Sequence, residues 1–283
     1  QGKNTKQYIM NKIARVLTFA IGGFIALGCE EIPPQITPCQ TSRVVLVEEF
    51  TGIDCVNCPA GSAKLETLSS QNPGKIIVVG IHAGYFATDH NGFDLRCSDG
   101  ENLESLYLGP VSGYPASSIN RKVFEGESDV VADLTEWAGY IATEICERPI
   151  AELSLTNTYD PATRMASVTV DVTPSTFFTG LLEEDLAISV LLTESNIVGY
   201  QKTPAGSDPA YVHKHVLRDV ITDSYTGDVL IPSGNALTAQ QKVIADYLIP
   251  SGWNPDNCHA VAFIHYKGEN NKEVIQAIEA HIN

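Results

Sequence analysis

An α/β domain followed by an all-β domain is the fold that this sequence predicts. Three observations predict it. Two near-continuous apolar runs, Arg43–Phe50 and Lys75–Ile81, flank a stretch of helical periodicity, which gives the order strand, helix, strand. Beyond Pro149 the texture changes to short stretches in which apolar and polar residues alternate. Turn signals such as Asn72-Pro73-Gly74 and Asp160-Pro161 punctuate both halves.

Composition fits a folded chain. The 283 residues are 43% apolar and 18% charged, which excludes a disordered or collagen-like polymer. That length accommodates one large domain or two ordinary ones. Lys plus Arg number 18 against 34 Asp plus Glu, a formal net charge of −16. So acidic a chain argues against nonspecific nucleic-acid binding, which needs cations to displace phosphate counterions. It argues equally against electrostatic docking on anionic lipid.

Residues 1–28 read as upstream residues and an export signal. Residues 1–9 are polar and lead to Met10, the expected start. Lys12 and Arg15 then precede an apolar run from Val16 to Gly28. A basic segment before a short apolar core is a signal peptide, whereas a membrane span needs about 20 apolar residues. The core ends Ala26-Leu27-Gly28-Cys29, which resembles the lipobox of bacterial lipoproteins with its first two positions exchanged. Cys29 is therefore the expected lipidation site; an ordinary signal peptide with a chance Cys is the alternative. Residues 29–42, rich in Pro, Gln and Thr, read as a tether.

Residues 43–148 make the expected α/β domain. The run Arg43–Phe50 is a strand buried on both faces. Thr51-Gly52-Ile53-Asp54 turns the chain, and Cys55-Val56-Asn57-Cys58-Pro59 follows. From about Val56 to Ser70 the pattern is helical, with Ala60, Ala63, Leu65 and Leu68 facing inward. The cysteines thus stand between a strand and the first turn of a helix. Unpaired amide N–H groups and the helix dipole there favour a thiolate on Cys55. A thiolate attacks disulfides, and Cys58, one turn on, can resolve the mixed disulfide. Pro59 is tolerated because first-turn N–H groups have no helical partner. Residues 83–98, rich in Gly, His, Asp and aromatics, read as a loop inserted over the same end of the sheet. Asp129 is placed to cap a helix running to about Ile145, with Leu134, Ala138, Ile141 and Ile145 inward.

Glu49-Phe50, four residues, then Cys55-x-x-Cys58-Pro59 resembles the thioredoxin superfamily. The resemblance implies a thioredoxin-like domain with a buried acid six residues before the first Cys, here Glu49. It also implies a cis-proline facing the cysteines, here Pro115 in Gly113-Tyr114-Pro115-Ala116-Ser117. Val56-Asn57 departs from the common Gly-Pro pair between the cysteines. A longer series of motifs (EEFTGIDCVNCPAG, VVGIHAG, GYP with INR, and YVHKHVLRD) resembles the twenty-eight-kilodalton outer-membrane lipoprotein family. That family pairs a thioredoxin-like domain with a C-terminal β domain. The resemblance implies a lipid-anchored protein of the outer membrane, on its periplasmic or its cell-surface face.

Residues 149–283 read as an all-β, immunoglobulin-like sandwich. Ile150–Tyr159 and Met165–Thr173 alternate at period two around Asp160-Pro161, a hairpin. Leu186–Thr193, Gln241–Ile249, His259–Lys267 and Glu273–His281 continue the series. His213 and His215, two apart, would share a face of a strand, the beginning of a metal site without a visible third ligand; the favoured reading of this segment is a loop-and-strand motif that fixes the sandwich or packs it on the first domain. Cys39, Cys97, Cys146 and Cys258 remain, and four cysteines allow three pairings. The expected pairing joins Cys146 to Cys258 across the domain junction and Cys39 to Cys97.

These readings lead to thiol–disulfide exchange, with protein thiols or disulfides as partners. Cys55 attacks, Cys58 resolves from a less exposed position, Glu49 takes the proton and Pro115 forms the docking edge. No cofactor and no metal is expected: zinc or copper at the cysteines would find only the scattered His82 and His90 as further ligands. The alternative is a non-catalytic surface binding protein or adhesin. There the sandwich would carry the interaction with a surface protein ligand, and the CxxC would be a staple.

Overall fold

The structure, a computed structural model, describes residue 39, residues 41–109 and residues 111–282. The signal peptide, the lipidation candidate Cys29 and most of the tether lie outside the described residues.

β1 (Val45–Thr51) and β2 (Ile76–His82) are buried along their whole length and run parallel, joined by α1 (Cys58–Gln71). Their near-continuous apolar runs, interrupted in β1 by the buried Glu48 and Glu49, reflect cover on both faces. A short α2 (Ser98–Asn102) and one π-helical turn follow the 83–98 insertion. β3 (Ala116–Ile119) then pairs antiparallel with β1, and β4 (Val131–Asp133) with β3. α3 (Trp137–Ile145) completes this part. Strands fill the rest: β5 (Ala151–Asp160), β6 (Met165–Pro174), β7 (Leu186–Glu194), β8 (Ile197–Thr203), β9 (Gly206–His213), β10 (Val216–Val220), β11 (Asp228–Ile231), β12 (Gln240–Leu248), β13 (Cys258–Tyr266) and β14 (Val274–His281).

One large sheet runs β14-β13-β7-β10-β2-β1-β3-β4, with β11 beside β7. The boundary expected at 148/149 does not part it. β10 lies parallel to β2 at Val216 and Gly80, and the Gly80 N–H donates to the His215 carbonyl at 2.7 Å. An uncovered β2 edge would leave backbone donors and acceptors unpaired, and a strand from the C-terminal half covers it. Residues 39–283 accordingly form one compact unit.

Three cores result. α1 and α3 cover one face of β1 and β2 through Leu65, Trp137 and Ile141. On the other face Leu46, Phe50 and Val79 meet Leu191, Val261 and Phe263, so the sheet folds back upon its own far half. That far half in turn packs Ile188, Val190 and Ala262 against Val168 and Val170 of a separate three-stranded sheet, β12-β6-β5. The sandwich expected from alternation is present, but one of its layers belongs to the sheet that also carries the cysteines.

Several expectations are corrected. No helix starts at Asp129; its carboxylate accepts from the Val131 N–H at 2.9 Å, and β-branched Val130-Val131 leads into β4. In the helix that follows, Ile141 and Ile145 are buried as expected but Trp137 takes the inward place expected of Ala138, and in α1 Gly61 is buried while Ala60 and Ala63 are exposed. The disulfide outside the CxxC joins Cys39 to Cys146, and Cys97 and Cys258 are free thiols. The end of α3 lies beside the chain entering β1, where Thr41 Oγ1 donates to the Ile145 carbonyl at 2.6 Å. Cys258 is instead buried in the sandwich core, and Cys97 caps α2 by accepting from the Gly100 N–H at 3.3 Å. Among the described residues no helix is long and apolar enough to cross a membrane.

Candidate functional site

β1 ends at Thr51, and the Cys55 N–H closes the following turn on the Gly52 carbonyl at 3.1 Å. Cys55 and Cys58 are joined as a disulfide with Cα atoms 5.4 Å apart, at the start of α1, where Pro59 occupies the first turn. The register Phe50↔Ala116 puts Pro115 level with Thr51 beside this turn, and the Tyr114–Pro115 bond is cis. Gly61 shows how close the parts come. A methyl group there would lie 2.8 Å from Pro115 Cβ and 2.9 Å from Glu49 Oε1, so only glycine lets the helix settle on both.

Glu49 is buried under α1, and its one side-chain partner is Ser62 Oγ, 3.1 and 3.2 Å from the two carboxyl oxygens. Burial pushes its carboxyl up to about 8, against the opposing pull of the Ser62 hydrogen bond. At neutral pH the carboxyl therefore carries its proton. A cavity of about 250 Å³ opens between α1, β2 and β9, walled in part by Glu49, Cys58, Ser62, His82, Tyr211 and His213. The rings of His82 and His213 meet edge to face, 5.6 Å apart. Burial pushes them down to about 3 and about 4, so both are neutral imidazoles at pH 7.

The β8–β9 hairpin lies over the dithiol loop. Gln201 Nε2 donates to the carbonyls of Cys55 at 3.0 Å and Gly52 at 3.2 Å, and the Lys202 N–H to that of Ile53 at 2.8 Å. Lys202 Nζ reaches Asp54 Oδ1 at 2.8 Å. The 83–98 insertion packs on the same hairpin, with His90 stacked on Tyr200 at 3.6 Å between ring centres. Under this cover Cys55 is 3% exposed and Cys58 1%, so the expected contrast between an open and a closed sulfur is absent.

The structure brings Glu49, Cys55, Cys58 and Pro115 together, and His82 with them. His213 and His215 both line the cavity, but they do not share a strand face. β9 ends at His213, and His215 adopts a left-handed φ of 54°, which breaks the alternation a shared face needs. Among the described residues no group of three or more His, Cys, Asp and Glu is placed to hold a metal ion. Sequence reasoning missed Ser62, Tyr211 and Gln201. Ser62 was within reach, since it stands four residues after Cys58 on the same helix face. Gln201 lies in a polar, proline-bearing segment without strand periodicity and sent no signal.

Solved structures similar to the chain include the following three. HBP35 of Porphyromonas gingivalis is 16% identical with a TM-score of 0.63, over 86% of this chain and 76% of its own. A protein of Agrobacterium tumefaciens is 10% identical with a TM-score of 0.51, over 86% and 96%. A domain of the outer membrane lipoprotein Omp28 from Porphyromonas gingivalis is 19% identical with a TM-score of 0.31, over 47% and 96%. At such identities the first two likenesses speak of fold alone. No curated protein matches the chain. The family model described as outer membrane protein Omp28 matches residues 104–283, a stretch that holds Pro115 and the β8–β9 hairpin and begins after Cys55 and Cys58. That match spans more than half of the sequence: the chain belongs to the Omp28 family, and its place is the outer membrane.

Proposed function

We propose that this is a lipid-anchored outer-membrane protein whose thioredoxin-like core exchanges thiols and disulfides with other proteins through Cys55 and Cys58. The observation that carries the reading is the buried, protonated Glu49, which walls the same cavity as Cys58. A substrate thiolate attacks Cys55 Sγ, the Sγ–Sγ bond breaks, and its electron pair leaves on Cys58 Sγ. The Glu49 carboxyl supplies the proton that this sulfur takes up, directly or through the hydroxyl of Ser62. A second substrate thiolate then displaces Cys55 Sγ, which leaves the substrate oxidised and the protein reduced. Amide N–H groups at the start of α1 stabilise the Cys55 thiolate. Pro115, packed on Gly61, is the edge against which the substrate chain docks. Cys29, after the signal peptide, carries the lipid.

The test is trapping. In the reverse direction the Cys55 thiolate of the reduced protein attacks a substrate disulfide and Cys58 Sγ then displaces the substrate from Cys55, so Cys58→Ser should accumulate mixed disulfides with disulfide-bearing proteins, because that attack occurs without resolution, and Cys55→Ser should accumulate none. Equal trapping by both variants, or by neither, sinks the reading. So would a potential of the pair below about −300 mV, the range of inert structural disulfides. Mass spectrometry of the membrane fraction should find an acylated Cys29 peptide; an unmodified Cys29 in the mature protein removes the anchor. The burial of both sulfurs favours a second reading, a non-catalytic surface binding protein in which the CxxC is a staple.

A further inference from the structure

Gln201 stands 146 positions from Cys55 and is itself buried, and its side-chain amide donates to two carbonyls of the dithiol loop as well as to that of Lys202. Residues 52–55 each accept a bond from the hairpin: Gly52 and Cys55 from Gln201, Ile53 from the Lys202 amide, Asp54 from the Lys202 ammonium. Among the described residues no other element holds the loop at so many points: the 83–98 insertion adds the Asp54 N–H to the Phe86 carbonyl at 2.8 Å and the Thr88 hydroxyl to the Asp54 carboxylate at 3.4 Å. Buried carbonyls left without donors are costly, so the loop keeps this shape while the hairpin is docked.

We propose that the β8–β9 hairpin is a clamp on the dithiol loop and that Gln201 is its positioning residue, holding the Gly52 and Cys55 carbonyls in the geometry of the closed disulfide. The proposal deepens the thiol–disulfide reading and rests on it for its purpose. The clamp favours the oxidised loop, and attack on Cys55 requires the hairpin to yield. Linkage makes the coupling reciprocal: what docks the hairpin protects the disulfide, and opening the disulfide loosens the hairpin.

Dithiothreitol supplies the chemistry for the test. One of its thiolates attacks Cys55 Sγ, and Cys58 Sγ leaves with the bonding pair and takes up a proton. Its second thiolate displaces Cys55 Sγ, which is protonated in turn, and the reagent closes to a cyclic disulfide. Gln201→Leu keeps the bulk and removes the donor. Its disulfide should be reduced about tenfold faster than the wild type's, the rate equivalent of one buried hydrogen bond. Val170→Ala, in the sandwich core, serves as the control for general destabilisation and should leave that rate unchanged. Hydrogen exchange of residues 197–213 in the wild-type protein should be faster after reduction than before. Equal reduction rates in Gln201→Leu and wild type, or equal acceleration in Val170→Ala, overturns the clamp. Equal hairpin exchange in the two redox states overturns it even where Gln201→Leu does not fold. Failure of Cys58→Ser to trap substrates, with Gln201→Leu still accelerated, removes the function and leaves the clamp.

Discussion

The two disulfides lie at opposite ends of one scale. Cys39–Cys146 closes a loop across 107 positions, and Cys55–Cys58 across 3. In the chain-entropy account the long loop is worth about 4–5 kcal/mol and a four-residue ring only about 2. Their surroundings differ in the same sense. Cys39 packs among the apolar residues that α1 and α3 bury, with Trp137 and Leu65. Cys58 faces a cavity walled by a protonated carboxyl and two neutral imidazoles. A bond with much to give the fold sits where packing is all that matters. A bond with little to give sits where polar groups are buried against their preference. Buried groups with displaced pKa values gather where chemistry is done.

Removing each bond in turn is the strongest way to break this contrast. The double replacement Cys39→Ser with Cys146→Ser should lose about 3–5 kcal/mol in urea unfolding, and Cys55→Ser with Cys58→Ser about 2 or less. Equal losses would make both bonds staples and end the comparison.

The next effect is one of pH. Glu49 holds its proton in the fold up to about 8, whereas the unfolded carboxyl loses it near 4.5. Between those values the folded state binds more protons, so this contribution is full below about 4.5 and is lost as pH rises to about 8. His82 and His213 slope the other way. Their folded pKa values lie below the ordinary 6.5, so their share is present above that value and lost as pH falls towards 3–4. Wild-type stability should therefore decline from pH 6.5 to 8, by roughly 1–2 kcal/mol from Glu49 alone. Glu49→Gln should flatten that limb and leave the acid limb in place. An unchanged alkaline limb in the variant would place the proton elsewhere.

What the sequence disclosed follows the same division. Strands with near-continuous or alternating apolar patterns, β1, β2, β5, β6, β7 and β13, were legible because burial on one or both faces writes itself into the period. The CxxC and Glu49 were legible because their chemistry is carried by residue type at short spacing. The β8–β9 hairpin was not, since Tyr200–Pro209 is polar, holds two prolines and owes its place to bonds with residues 52–55. Nor was the single sheet: β10 joins β2 through backbone groups, which every residue has. The staple was misassigned for a related reason, because the approach of Cys39 to Cys146 depends on how α3 packs along the chain entering β1.

The smallest effect tests what holds the hairpin at its outer rim. Lys214, just past β9, pairs with Glu66 of α1 at 2.7 Å, across the mouth of the cavity. The two side chains are 42% and 49% exposed, so water and salt screen the attraction. Exposed pairs of this kind contribute about 0.2–1 kcal/mol, often less. Lys214→Ala should thus cost about 0.5 kcal/mol or less at physiological salt, and its deficit should shrink further as salt is raised. It should leave the reduction rate of Cys55–Cys58 at the wild-type value, because no carbonyl of the dithiol loop loses a donor. Gln201, buried and neutral, should show the reverse: a large change in rate with little dependence on salt. If Lys214→Ala instead speeds reduction as much as Gln201→Leu, the hairpin is held by charge at its rim, and the buried amide is only a filler of space.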